Sequence, residues 1–150
     1  MSKEREPGMS LIVKTITRLT VGLILLYGIY IVLHGHVSPG GGFAGGVIIA
    51  LSFVHLTLAY GKDVALRKLP KEVTSFFEGF GALLFLALAL LGFAGGVFFL
   101  NILGKGEPFR LFSAGIIPLA NIAISLKVGA GLFAIFVTLV LLKIETEEKS

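Results

Sequence analysis

The sequence contains no cysteine. Disulfides, thiolate-ligated iron–sulfur clusters and thiol catalysis are therefore excluded within this chain. If it serves a redox machine, the electrons run through other chains. Charge is scarce as well. Only 15% of the 150 residues are Asp, Glu, Lys or Arg, and none falls in residues 19–61 or 79–104. With 55% hydrophobic residues and a mean hydropathy of +0.96, the chain lacks the polar surface of a soluble domain. An all-α integral membrane protein is expected. The net charge of +4 is small, and no nucleic-acid partner is implied. No Gly-Lys-Ser/Thr follows the glycine-rich stretch and no strand precedes it, so a P-loop fails on context. No Ser/His/Asp set has soluble architecture around it. The chain is not expected to be an enzyme by itself.

What is present are long apolar runs. The pattern predicts four membrane-spanning helices over about 10–33, 43–60, 72–103 and 118–142, each near or above the ~20 residues that cross a bilayer. Residues 1–10 read as a polar tail, 11–143 as one membrane domain and 144–150 as an acidic tail. The N-terminus resembles a signal peptide only superficially, because no small-residue cleavage site follows; the first apolar run is expected to remain as an anchor. Residues 61–71 form a basic connector, and 105–110 a short turn containing Pro108. Lys3, Arg5, Lys14, Arg18, Lys62, Arg67, Lys68, Lys71, Lys143 and Lys149 fall on one side of this layout, and Lys105 and Arg110 on the other. Ten against two argues for four spans with both termini in the cytoplasm, and a multi-pass protein of the plasma membrane is expected.

The most unusual composition lies at residues 34–46, HGHVSPGGGFAGG. Glycines accept positive φ and leave the main chain bare. Bare main chain at membrane depth survives only under protein cover or facing water. A protein partner or an aqueous path is therefore implied. His34 and His36 are of the residue type whose charge can change near neutral pH, and an H-x-H pair can bind metal. His55 lies ~18 Å along the next helix, too far to complete a site, so no metal is expected. Two roles stay open for the histidines: proton or ion handling, or hydrogen bonding that holds the break in shape. The sequence GFAGGV recurs at 42–47 and 92–97 with unmatched flanks. This reads as two places of close helix approach, not as a duplicated domain.

Two ionisable residues interrupt the spans. Lys127 lies near mid-bilayer, where a charge costs at least ~2.5–3.5 kcal/mol. Ala120, Ala123, Ala130 and Ala134 share its stripe, so Lys127 is expected to face a bundle or a subunit interface. It serves either as a proton relay or electrostatic gate, or as a salt-bridge partner fixing a neighbour. Glu78 heads a stripe of Ala82, Phe85, Ala89, Gly92 and Gly96, and either joins the ion path or sits at the interface near a helix N-terminus. Nothing in the spacing requires Lys127 and Glu78 to meet. Asn121 and Ser125 lie on another face, where they can hydrogen-bond a second helix.

HGHVSPGGGFAGGVI at 34–48, followed by GIIPLANIAISLKVGAGLF at 115–133, resembles the MnhB/MrpB-like component of multisubunit Mrp-type sodium/proton antiporters. Related subunits occur in archaeal membrane-bound hydrogenases and sulfur reductases. The resemblance implies a small subunit of an ion-translocating assembly, in contact with other Mrp-type membrane subunits, the lipid bilayer and, in the redox-driven complexes, a hydrogenase or sulfur reductase arm. It implies no cofactor in this chain, with Na+ and/or H+ as cargo. It carries over His34, His36, Ser38, Pro39, Gly40, Gly41, Gly42 and Phe43, with Gly45 and Gly46 in the same run, and Pro118, Asn121 and Lys127. Two other outcomes remain open: a structural bridging subunit with no ion-path role, and a small channel of identical chains.

Overall fold

The computed structural model describes residues 9–107, 110 and 113–148. Most of the N-terminal tail, Pro108 of the predicted turn and the last two residues lie outside the described residues. Five helices follow in order: α1 Leu11–His34, α2 Gly42–Tyr60, α3 Lys62–Lys68, α4 Lys71–Leu91 and α5 Ile117–Glu148, with a 3₁₀ turn at Gly92–Gly95 after α4. No strand occurs among the described residues. Four segments are long and apolar enough to cross a membrane: Leu11–His34, Gly42–Tyr60, Lys71–Gly95 and Ile117–Leu142. The chain is a four-helix, multi-pass membrane protein, and the short α3 occupies the basic connector.

The helices pack in the spatial order α1, α2, α5, α4. Adjacent α1 and α2 run antiparallel. Met9 N–H donates to Ala59 O at 2.9 Å, the Tyr60 hydroxyl donates to Lys14 O at 2.8 Å, and Gly28 meets Gly45 further along. By contrast α2 and α5 run parallel, with Gly42 against Asn121, Gly46 against Ser125 and Phe53 against Phe133. Helix α4 is antiparallel to α5. The contacts are narrow because small residues meet. A Cβ on Gly81 would lie 2.7 Å from Ala123 O, and one on Gly46 would lie 3.0 Å from Ser125 O. In lipid, where no hydrophobic drive separates helix from solvent, such backbone proximity supplies the packing. The bulkiest core, Phe133 and Val137 with Phe53, Leu66 and Leu69 around them, lies toward the α3 end.

Three expectations need correction. The third helix does not continue to 103. It tightens to a 3₁₀ turn at Gly92, and Gly96 takes φ +92°. The chain then doubles back, with Phe99 N–H donating to Ala89 O at 3.1 Å. A Cβ on Gly92 would overlap Leu100 N, so the reversal needs glycine there. At the other end of the chain, α5 runs to Glu148, so the acidic segment expected as a tail continues the last helix. The packed stripe of α4 coincides with the anticipated one only at Ala89 and Gly92. Thr74, Gly81, Leu88, Ala89 and Gly92 are buried, whereas Ala82 is exposed and Glu78 lies at the rim. Gly81, not Ala82, sets that face, because it admits the α5 backbone.

Candidate functional site

The glycine-rich junction joins α1 to α2. At its start Val37 and Ser38 N–H both donate to His34 O at 2.9 Å, and the Ser38 hydroxyl adds a bond to the same carbonyl at 3.3 Å. Pro39 follows. Gly40 and Gly41 then take φ +144° and +95°, a region that side chains rarely enter. Phe43 projects outward from the first turn of α2. The first N–H groups of a helix lack intrahelical acceptors. Here the Asn121 carboxamide of α5 supplies one, its Oδ1 accepting from Gly42 N at 3.2 Å. A Cβ on Gly42 would overlap the Asn121 carbonyl, and one on Gly35 would lie 2.8 Å from Asn121 Nδ2. Gly45 faces Gly28, and Gly46 faces Ser125. The glycines therefore serve two needs, a left-handed turn and contact with α1 and α5. Ser125 turns its own hydroxyl back to Ile122 O at 2.8 Å. Pro118 lies in the first turn of α5, where a missing N–H costs nothing. The two copies of GFAGGV differ in role: 42–47 opens α2, and 92–97 ends α4.

The two junction histidines have different partners. His34 stacks on Tyr30 with ring centroids 4.1 Å apart, and its Nδ1 donates to Tyr30 O at 3.2 Å. His36 Nε2 lies 3.1 Å from Arg110 O. A carbonyl only accepts, so Nε2 carries the proton, and Nδ1 of the neutral ring is an acceptor. That Nδ1 is buried with no partner among the described residues, as is Asn121 Nδ2. Deeper in the bundle, His55 Nε2 meets the Thr20 hydroxyl across α1 and α2 at 3.3 Å. No three His, Cys, Asp or Glu side chains converge among the described residues.

Lys127 and Glu78 do meet. Lys127 Nζ lies 3.6 Å from Glu78 Oε1, linking α5 to α4. Lys127 is ten residues into the span that begins at Ile117, ~15 Å along its axis. The neighbouring Ala123 and Ala130 are buried, but Lys127 sits on the rim of their stripe. The two side chains are 52% and 44% exposed. The pair thus faces away from this chain's own bundle. Beside it a groove of about 310 Å³ is lined by Glu78, Gly131, Ala134, Ile135, Thr138 and Leu139. Acyl chains offer neither hydrogen bonds nor counter-charge, so an ion pair at this depth calls for protein or water beside it.

Asn101 escaped the sequence reading. Its Nδ2 donates to Ala114 O at 3.1 Å, and its Oδ1 accepts from Ile116 N at 3.2 Å. It ties the segment after α4 to the start of α5. The available signal was its isolation: it is the one side chain in residues 79–104 able to both donate and accept hydrogen bonds.

A family model described as a domain related to the MnhB subunit of Na+/H+ antiporter matches residues 12–134. An uncharacterized protein of Methanocaldococcus jannaschii is 39% identical over 117 residues, which is 73% of this chain and 44% of that protein. A candidate antiporter subunit, mnhB2, of Staphylococcus aureus (strain Newman) is 39% identical over 59 residues, 39% of this chain and 42% of its own length. The chain thus spans less than half the length of these relatives. Among solved structures, a chain of the membrane-bound sulfane sulfur reductase, an archaeal respiratory membrane complex, superposes with a TM-score of 0.74 at 33% identity, covering 89% of this chain and 61% of that one. Matched over both the glycine-rich junction and the Lys127 stretch, the chain belongs to the MnhB family of antiporter-subunit domains.

Proposed function

We propose that this protein is a small membrane subunit of an Mrp-type cation/proton antiporter module and contributes to Na+ and/or H+ translocation within a larger assembly. The carrying observation is the Lys127–Glu78 pair, half exposed on the outer face of α4 and α5 at mid-span. The helices of one chain leave this pair uncovered, so other membrane subunits complete its surroundings. The ammonium beside the carboxylate sets the local charge that a passing cation meets. The glycine-rich junction keeps α2 short and lines part of an aqueous path on the outer side. Both termini lie in the cytoplasm, following the sorting of Lys and Arg. Electrons do not pass through this subunit, and it catalyses no bond chemistry alone.

A second reading places the same subunit in a redox-driven ion pump. The likeness to a chain of a sulfane sulfur reductase complex favours it. The role of this chain is the same in either host. The test is Lys127→Leu in the assembled complex, read as Na+-dependent proton movement in membrane vesicles. Loss of coupled movement at normal subunit content supports the proposal. Normal transport at normal assembly rejects it.

A further inference from the structure

The segment that doubles back after α4 is apolar, exposed and irregular. Phe93, Val97, Phe98, Leu100, Ile102 and Leu103 are between 40% and 60% exposed. Its backbone is held from within. Phe99 N–H donates to Ala89 O, Leu100 N–H to Val97 O and Ala114 N–H to Lys105 O, while Asn101 ties it to Ala114 and Ile116. Edge-on contacts between Phe98 and Phe99, and tilted ones of Phe93 with Phe98, hold the rings as a platform.

The level of this platform follows from lengths. A hydrocarbon slab of ~30 Å takes ~20 helical residues, so a span starting at Lys71 leaves it near Leu91. Phe99 is bonded to Ala89, so the segment lies at that boundary. The ends of α1 and the starts of α2 and α5 share this end of the bundle. Irregular backbone is not tolerated facing the hydrocarbon core, yet side chains this apolar gain by leaving water. The boundary between headgroups and acyl chains satisfies both demands. Charge agrees. Lys105 follows the apolar residues after Gly104, while Arg110 is paired with Glu107 at 2.7 Å. Leu90 and Leu91, at the end of α4, are exposed as well.

We infer that residues 97–105 form a lipid-interface anchor, with Phe98 and Leu103 at the acyl boundary and the Lys105 ammonium among lipid phosphates. The surface is distinct from the Lys127–Glu78 face and does not depend on its role.

Photocrosslinking in host membranes that contain the whole complex tests this. p-Benzoylphenylalanine is placed at 98 or 103, and at 135 beside the Glu78 groove as a comparison. At 98 and 103 the expected product is this chain heavier by the mass of a phospholipid. Crosslinks from 98 and 103 to another subunit, or no lipid adduct at either position while 135 still reacts, would overturn the inference. If the bulky ring blocks assembly, Phe98→Cys in this cysteine-free chain carries a nitroxide instead. High accessibility to dissolved oxygen supports lipid contact, and a nitroxide shielded from both oxygen and a water-soluble nickel chelate contradicts it.

Discussion

The Asn121 carboxamide accepts the Gly42 N–H at 3.2 Å, so α5 caps the start of α2 across 79 residues of sequence. This bond fixes where the glycine-rich junction ends and where the helix begins. Asn121→Leu keeps similar bulk but strands the Gly42 N–H. The expected loss is ~1–3 kcal/mol, read as a lower melting temperature of the solubilised complex. An unchanged melting temperature would show that the N–H finds another acceptor.

Glycines along the seams should divide into two classes. Gly42→Ala drives a methyl group into the Asn121 backbone, and Gly46→Ala places one 3.0 Å from Ser125 O. Both substitutions should lower assembled yield, Gly42→Ala more severely. Gly22 has nothing within 4 Å of an added Cβ, so Gly22→Ala should leave stability equal or raise it by up to ~1 kcal/mol through helix propensity. Thermal melts of the three variants side by side check the order.

Asn101 ties the returning segment to α5 by two side-chain bonds. Asn101→Ala should loosen residues 96–116 without unfolding the bundle. Limited proteolysis applied from the face carrying the junction should cut this segment faster than in the unmodified protein. Equal cutting rates would mean that the apolar contacts alone hold it.

The histidines should behave as shape-holding groups with separate partners. His34→Phe keeps the stack on Tyr30 and loses only the bond to Tyr30 O, so transport should change little. His36→Ala removes one of three donors to Arg110 O, leaving the Ser113 N–H and hydroxyl in place, and should cost no more than ~0.5–1.5 kcal/mol in a denaturation series. Loss of transport in His34→Phe at normal assembly would instead assign that imidazole a part in ion handling.

Much of the architecture was legible because lipid imposes a simple code. Charge-free runs bounded by Lys and Arg marked the spans, and the family resemblance rested on residues that the fold places at real contacts, such as Gly42 and Asn121. The end of α4 was not legible. Residues 96–103 are largely apolar, and the positive φ of Gly96 and Phe99 and the backbone bond from Phe99 to Ala89 show the reversal. Composition cannot tell an apolar helix from an apolar loop at a bilayer boundary. The meeting of Lys127 and Glu78 was equally hidden. It depends on the antiparallel register of α4 against α5, which Gly81 sets by admitting the α5 backbone.

The most direct test exchanges the two charges. Lys127→Glu and Glu78→Lys are made singly and together, and Na+-linked proton movement is measured in vesicles at matched complex content. The account predicts that each single exchange abolishes coupled transport and that the double exchange recovers a measurable part of it. Wild-type rates in both single exchanges, with the complex intact, would contradict it.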